Sequence, residues 1–133
     1  MAKRRDRKAR ERRFHYRLMH RIYKLCAQGE WRLRYARIRK NGKLCRGHGL
    51  GTNTVGFVDV EPQIIWVDHR EDAMMTFIHE CLHVLMGDRY LNRPKAEERE
   101  VQRLERLMKR HLSARQARRL HMHMANMLVA EEQ

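Results

Sequence analysis

Aromatic side chains are scarce in these 133 residues: three Phe, two Trp and four Tyr, against nine Met. A core built from this composition has to be aliphatic and Met-rich. No run of about 18 or more uncharged apolar residues occurs, which excludes a membrane-spanning helix. The charged N-terminus has no apolar segment behind it, so a secretory signal is not expected. The three cysteines, Cys26, Cys45 and Cys81, form no CxxC pair and leave an odd count. That fits a reducing cytoplasm better than a disulfide framework. The length suits one domain with one modest core.

Acidic residues are also few, and they are unevenly placed. The net charge is +14. Residues 1–46 carry 18 Lys/Arg against 3 acids, residues 47–92 carry 2 against 7, and residues 93–133 carry 10 against 6. A basic head and tail thus flank an acidic middle. The basic parts suit an anionic partner such as nucleic acid. The acidic middle suits something local and cationic, a metal or a basic substrate.

Residues 1–13, MAKRRDRKARERR, are low in complexity and strongly basic. They are expected to be a disordered arm, helical only when bound, that could reach nucleic acid. From Phe14 the spacing of Phe14, Leu18, Ile22 and Leu25 predicts an amphipathic helix closed by Gly29. Trp31-Arg32-Leu33-Arg34-Tyr35 alternates like a strand, with Trp31 and Tyr35 as possible stacking surfaces for bases. Asn41-Gly42 is a hairpin turn signal. The glycine-rich Gly47–Gly51 stretch lacks the Lys-Ser/Thr and following helix of a phosphate-binding loop, and reads as a flexible connection. Val55–Val60 and Gln63–Asp68 read as strands around a Glu61-Pro62 turn.

Three helices follow: about Ala73 to Met86, stopped by Gly87; from Pro94 to about His111; and from a Ser113/Gln116 capping box to about Ala130. The element order gives an α+β fold. It is expected to be a basic arm over residues 1–13 and a single domain over 14–133, with a short antiparallel sheet packed on the 73–86 helix and further C-terminal helices.

The chemistry centres on His79-Glu80-Cys81-Leu82-His83. Two His four residues apart share one face of a helix, where their ring nitrogens can hold one zinc ion. Glu80 projects to the side of that metal, placed to act as general base toward a water. Independent placement of this chain's residues would produce HExxH in about 5% of such chains. The flanks sharpen it: between Ala73 and Gly87 only Glu80 is charged, so the helix reads as buried all round. Cys81 points away from the His pair and reads as a small core residue.

A catalytic zinc takes three protein ligands. The helix after Pro94 offers Glu97, Glu98 and Glu100, with Val101, Leu104, Leu107 and Met108 marking its buried face. Glu100 stands four residues before Leu104 and is the first choice; Glu97, four before Val101, is the alternative; Glu98 is less well aligned. All three could equally be first-turn acids favoured by the helix dipole. Asp88, His111, His121 and His123 are weaker candidates. Tyr90, His69 and His111 could donate to a developing oxyanion.

The stretch Thr76-Phe77-Ile78-His79-Glu80-Cys81-Leu82-His83-Val84-Leu85 resembles the extended zincin motif. Glu98-Arg99-Glu100-Val101-Gln102-Arg103-Leu104 is similar to the segment that completes the zinc site in small gluzincins of the ImmA/IrrE type, with Glu100 at the ligand position. In place of that group's small-polar pair after the Glu the chain has Val101-Gln102. Ile64–Asp68 resembles the strand beside the active-site helix in that group, along whose edge an extended substrate pairs. The resemblance, over roughly residues 55–110, implies a zinc-dependent metallopeptidase acting on a protein or peptide, with Glu80 as base and His79, His83 and Glu100 on the metal. The alternative is a nucleic-acid-binding protein whose zinc site is structural or inactive.

Overall fold

Residues 2–27 contain no Gly or Pro and are rich in Arg, with Lys, Ala and Leu besides, all strong helix formers. In the computed structural model, which describes residues 2–129, they form one helix, α1 (Ala2–Ala27). The segment expected to be a disordered arm over residues 1–13 is therefore helical from Ala2. Its C-terminal half is held by packing, so the N-terminal half only has to propagate a helix already nucleated. Arg7 pairs with Glu11 one turn on, at 3.8 Å. The packed stripe runs through His15, Leu18, Met19, Ile22, Leu25 and Cys26. Phe14, expected on that stripe, is 39% exposed, and His15 takes its place at 3%. Gly29, at φ +77°, turns the chain out of the helix.

Strand β1 (Arg32–Ala36) buries Leu33. Asn41 does not make a hairpin. Its side chain accepts from Leu44 N–H at 3.2 Å and caps a short helix, α2 (Gly42–Gly47). Asn serves turns and N-caps equally well, and here buried Cys45 three residues after Gly42 decides for the helix. Strands β2 (Gly56–Asp59) and β3 (Ile64–Asp68) form an antiparallel hairpin, with Gln63 at φ +54° in its turn. The sheet order is β1-β3-β2 and β1 runs parallel to β3, Leu33 opposite Ile65. The sheet is thus mixed, not antiparallel as expected. The excursion through α2 and β2 is long enough to bring β3 back in the direction of β1. Past the last helix, Leu128 bridges to Leu33 and Val129 N–H donates to Leu33 C=O at 2.9 Å. That covers the outer side of β1 and leaves β2 as the open edge.

Helix α3 (Ala73–Met86), N-capped by Asp72, lies on one face of the sheet. Gly87 does not end the helical path; it continues into a 3-10 turn, Gly87–Tyr90, and the chain breaks only at Asn92, φ +64°. Helices α4 (Pro94–His111) and α5 (Ala114–Met127) follow, the latter with the Ser113/Gln116 capping box. Together with α1 they enclose a core of Leu, Ile, Val and Met around Phe77. Ile38, Cys45 and Phe57 make a smaller core on the opposite sheet face. The fold is α+β, and among the described residues no helix is long and apolar enough to cross a membrane.

Asp68 joins the two sides. Its buried carboxylate accepts from the backbone N–H groups of Ile38 (3.1 Å), Arg39 (2.9 Å) and Arg70 (3.0 Å), and from the Arg70 guanidinium at 2.8 and 3.1 Å. The Arg70 guanidinium, aided by those N–H groups, holds the Asp68 carboxyl well below the usual carboxylate range. Folded Asp68 therefore binds its proton less readily than the unfolded residue. Its stabilisation is complete above the unfolded value of about 3.9 and is lost as pH falls through the folded one. Asp68→Ala is expected to cost about 1–3 kcal/mol, because it strands buried N–H donors. In urea titrations the gap to wild type should be largest near neutrality and shrink below about pH 4; a pH-independent gap would refute the linkage.

Candidate metal centre

The geometry of α3 and α4 converges on one point. His79 and His83, one turn apart on α3, face α4 between Glu97 and Glu105. Their Nε2 atoms are 3.3 Å apart. Glu98 on α4 reaches between them, with one carboxylate oxygen 3.1 Å from His79 Nε2 and the other 2.7 Å from His83 Nε2. His79, His83 and Glu98 each offer a ligand atom, all within 4.8 Å of one another, so the three can share a metal ion.

The ligand expected first, Glu100, is elsewhere: its carboxylate pairs with Arg103 one turn on, and that guanidinium lowers its pKa. Helical geometry accounts for the difference. At about 100° per residue, Glu98 and Glu105 lie about 60° and 40° to one side of Val101, while Glu100 lies about 100° to the other. The apolar pattern of α4 identifies its buried arc but not which flank meets α3. Glu97, the alternative, sits near the arc's centre, with an oxygen 3.7 Å from His83 Nδ1. It approaches the far nitrogen of that ring, not the one that faces Glu98.

The corresponding group on His79 is Glu105, which sequence reasoning missed. His79 Nδ1 and Glu105 Oε2 are 2.6 Å apart. A carboxylate there keeps the proton on Nδ1 and leaves the Nε2 lone pair free for a metal. The available signal was its spacing: Glu105 is seven residues, two turns, after Glu98. Burial opposes charge on His79, yet the Glu105 bond and the nearby Glu80, Glu98 and Glu105 charges outweigh it and raise its pKa. Two imidazoles surrounded by Glu80, Glu97, Glu98 and Glu105 form an electrostatic site for a cation. Nitrogen and carboxylate donors of this kind suit divalent transition metals.

Glu80 is 5% exposed. Burial is the largest influence on its carboxyl and, with Glu98 and Glu105 adding to it, pushes the pKa up to about 7. It opens into a cleft of about 920 Å³ lined by the metal-site residues, Thr76, Trp31 and the 53–58 segment. β2 approaches α3 closely because residue 56 is Gly: a Cβ there would lie 2.7 Å from Thr76 Cγ2, 3.0 Å from Trp66 O and 3.3 Å from Glu80 Cγ. The strand beside this cleft is thus edge strand β2; Ile64–Asp68, expected in that place, is the central strand.

The remaining candidates fall away from the site. Asp88 lines the cleft, but Tyr90, His69 and His111 are not among its lining residues. His69 lies beside Tyr35, and His111 pairs with Glu11 at 3.2 Å. His123 stacks on Tyr23, and His121 is exposed. Cys81 is fully buried next to Cys26 of α1. Trp31 is only 9% exposed and lines the cleft, while Tyr35 is 36% exposed, beside His69.

Comparison of the chain with protein-family models, curated proteins and solved structures finds no match in any of the three.

Glu98→Ala is expected to abolish stoichiometric metal uptake, measured by elemental analysis and calorimetric titration, whereas Glu100→Ala should leave it unchanged. Glu105→Gln should weaken metal affinity about 10–100-fold, the usual effect of losing a group that orients a ligand. Loss of metal in Glu100→Ala with retention in Glu98→Ala would reverse the assignment.

Proposed function

We propose that this protein is a zinc-dependent metallopeptidase of gluzincin type, with His79, His83 and Glu98 as the zinc ligands and Glu80 as the general base. The observation that carries the reading is the shared cleft: a buried carboxyl, a His-His-Glu metal group and the open edge of a sheet border the same space. The resemblance of residues 76–85 to the zincin motif supports the same reaction class.

Bound zinc would supply Lewis acidity toward a peptide carbonyl and toward the attacking water. Glu80 takes the proton that the water sheds on attack and holds it on its carboxylate. It then passes the proton to the departing amine nitrogen. A group that must both accept and return a proton near neutrality works best with a pKa close to 7, and burial shifts the Glu80 carboxyl upward, in that direction. Glu105 fixes the His79 ring through Nδ1, and Glu97 flanks His83 Nδ1.

β2 supports a peptide as substrate. Asp68 N–H donates to Val55 C=O at 2.7 Å, and the pairing continues Phe57 to Trp66 and Asp59 to Ile64. In an antiparallel ladder successive residues alternate direction, so the backbone groups of Gly56 and Val58 turn away from β3 toward the open edge. Gly56 and Val58 also line the cleft. An extended peptide added there as a further strand would run past Glu80 and the His pair.

Glu80→Gln is expected to keep zinc and the wild-type melting temperature while lowering cleavage of unfolded casein at least about 100-fold, the usual share of a general base. Full activity in Glu80→Gln would remove Glu80 from the mechanism. Stoichiometric zinc with no cleavage of casein or of a random peptide library by wild type would favour a structural zinc site.

A further inference from the structure

The stripe of α1 that packs on the domain is buried from His15 to Cys26, but it continues toward the N-terminus as Glu11, Lys8, Arg7 and Arg4. Over Lys3–Phe14 eight side chains are basic and two acidic, and all but Ala9 and Glu11 are exposed. This half of the helix extends about 18 Å with charge on every side. Its like-charged neighbours at i and i+4 repel, and Glu11 relieves only part of that. A helix polar all round is a helix waiting for a charged partner or for solvent alone.

The place where it leaves the domain is also basic. Glu11 accepts from His111 at the end of α4, and His15 Nε2 lies 2.9 Å from Gln116 Oε1 on α5. At that corner Lys109, Arg110, Arg115 and Arg118 are exposed, and no Asp or Glu occurs between Arg106 and Val129. Arg110 and Arg7 both act on Glu11, so arm and corner belong to one cationic surface. Of the cleft's carboxylates on α4, Glu98 is thirteen residues, or about 20 Å, from His111 and Glu105 six residues, or about 9 Å.

We propose that the free half of α1 and the α4–α5 corner form a binding surface for duplex DNA, with α1 in the major groove and the corner on the flanking phosphates. A helix about 10–12 Å across fits the roughly 12 Å major groove of B-form DNA. Charge on all its sides then meets phosphates on both groove walls. The deep, narrow major groove of A-form RNA does not admit it. A helix lying on an anionic membrane needs one apolar face. Phe14 and Tyr16, 39% and 68% exposed, are about 200° apart around α1 and make none. This surface does not depend on whether the metal site is catalytic.

The test is fluorescence anisotropy of the full chain with a labelled 20-base-pair duplex DNA between 50 and 200 mM salt. Six or more phosphate contacts would lower affinity at least about 10³-fold across that range, a log–log slope of about −5 or steeper. Replacing Arg4, Lys8 and Arg12 by Gln preserves helix propensity and should flatten the slope by about 2 to 3. The same change at Arg110, Arg115 and Arg118 should flatten it similarly. Lys95 and Arg99, at the cleft end of α4, should be replaceable by Gln without effect. Circular dichroism checks that each variant stays helical. The proposal is overturned if wild type does not bind the duplex at 50 mM salt, or if either triple variant keeps the wild-type slope. Tighter binding to an RNA duplex or to phosphatidylserine vesicles than to DNA also overturns it.

Discussion

The two imidazole nitrogens that face each other across 3.3 Å, with the Glu98 carboxylate between them, set the terms for the surrounding structure. α3 and α4 must lie close enough for one carboxylate to reach both rings. Glu105 and Glu97 flank the outer nitrogens of the same rings. This places three carboxylates against two histidines, an excess of negative charge that a divalent cation would neutralise. The apolar surround of α3, with Phe77, Ile78 and Leu82 fully buried, holds the pair in one orientation. The sheet contributes through Gly56, whose missing side chain lets β2 come against Thr76 and Glu80.

Charge is segregated along the same framework. The carboxylates gather at the start of α4 and the middle of α3, and the arginines gather on α1 and at the α4–α5 corner. α4 carries both, Glu97 and Glu98 in its first turns and Lys109 and Arg110 in its last. That ordering suits the helix dipole at each end. It also gives the molecule two electrostatic faces, an acidic one in the cleft and a basic one at α1 and the α4–α5 corner.

Much of this was legible in the sequence because local signals were strong. The charge-free run from Ala73, Pro94 at the head of α4 and the Ser113/Gln116 box marked three helices close to where they stand. His79, Glu80 and His83 were found because helical spacing alone brings them together. The third metal-site carboxylate required knowing which flank of α4 meets α3, and that is a tertiary fact: Glu100 falls within the arc of Val101, Leu104, Leu107 and Met108, whereas Glu98 lies about 60° beyond its Val101 edge. Glu105 escaped for the same reason. The helicity of α1 over Ala2–Arg13 was hidden by its charge density, which reads as disorder until the packed half from His15 onward supplies the nucleus. Asn41-Gly42 carried two local meanings, and the parallel pairing of β1 with β3 arises from a long excursion that no nearby residue announces.

Anomalous diffraction at the zinc absorption edge, from crystals of the zinc-loaded protein, tests the account most directly. The account predicts a single peak within about 2.0–2.2 Å of His79 Nε2, His83 Nε2 and an oxygen of Glu98, the range of protein zinc ligands. A zinc completed by Glu100 or Glu97, or one bound away from the His79–His83 pair, would contradict it.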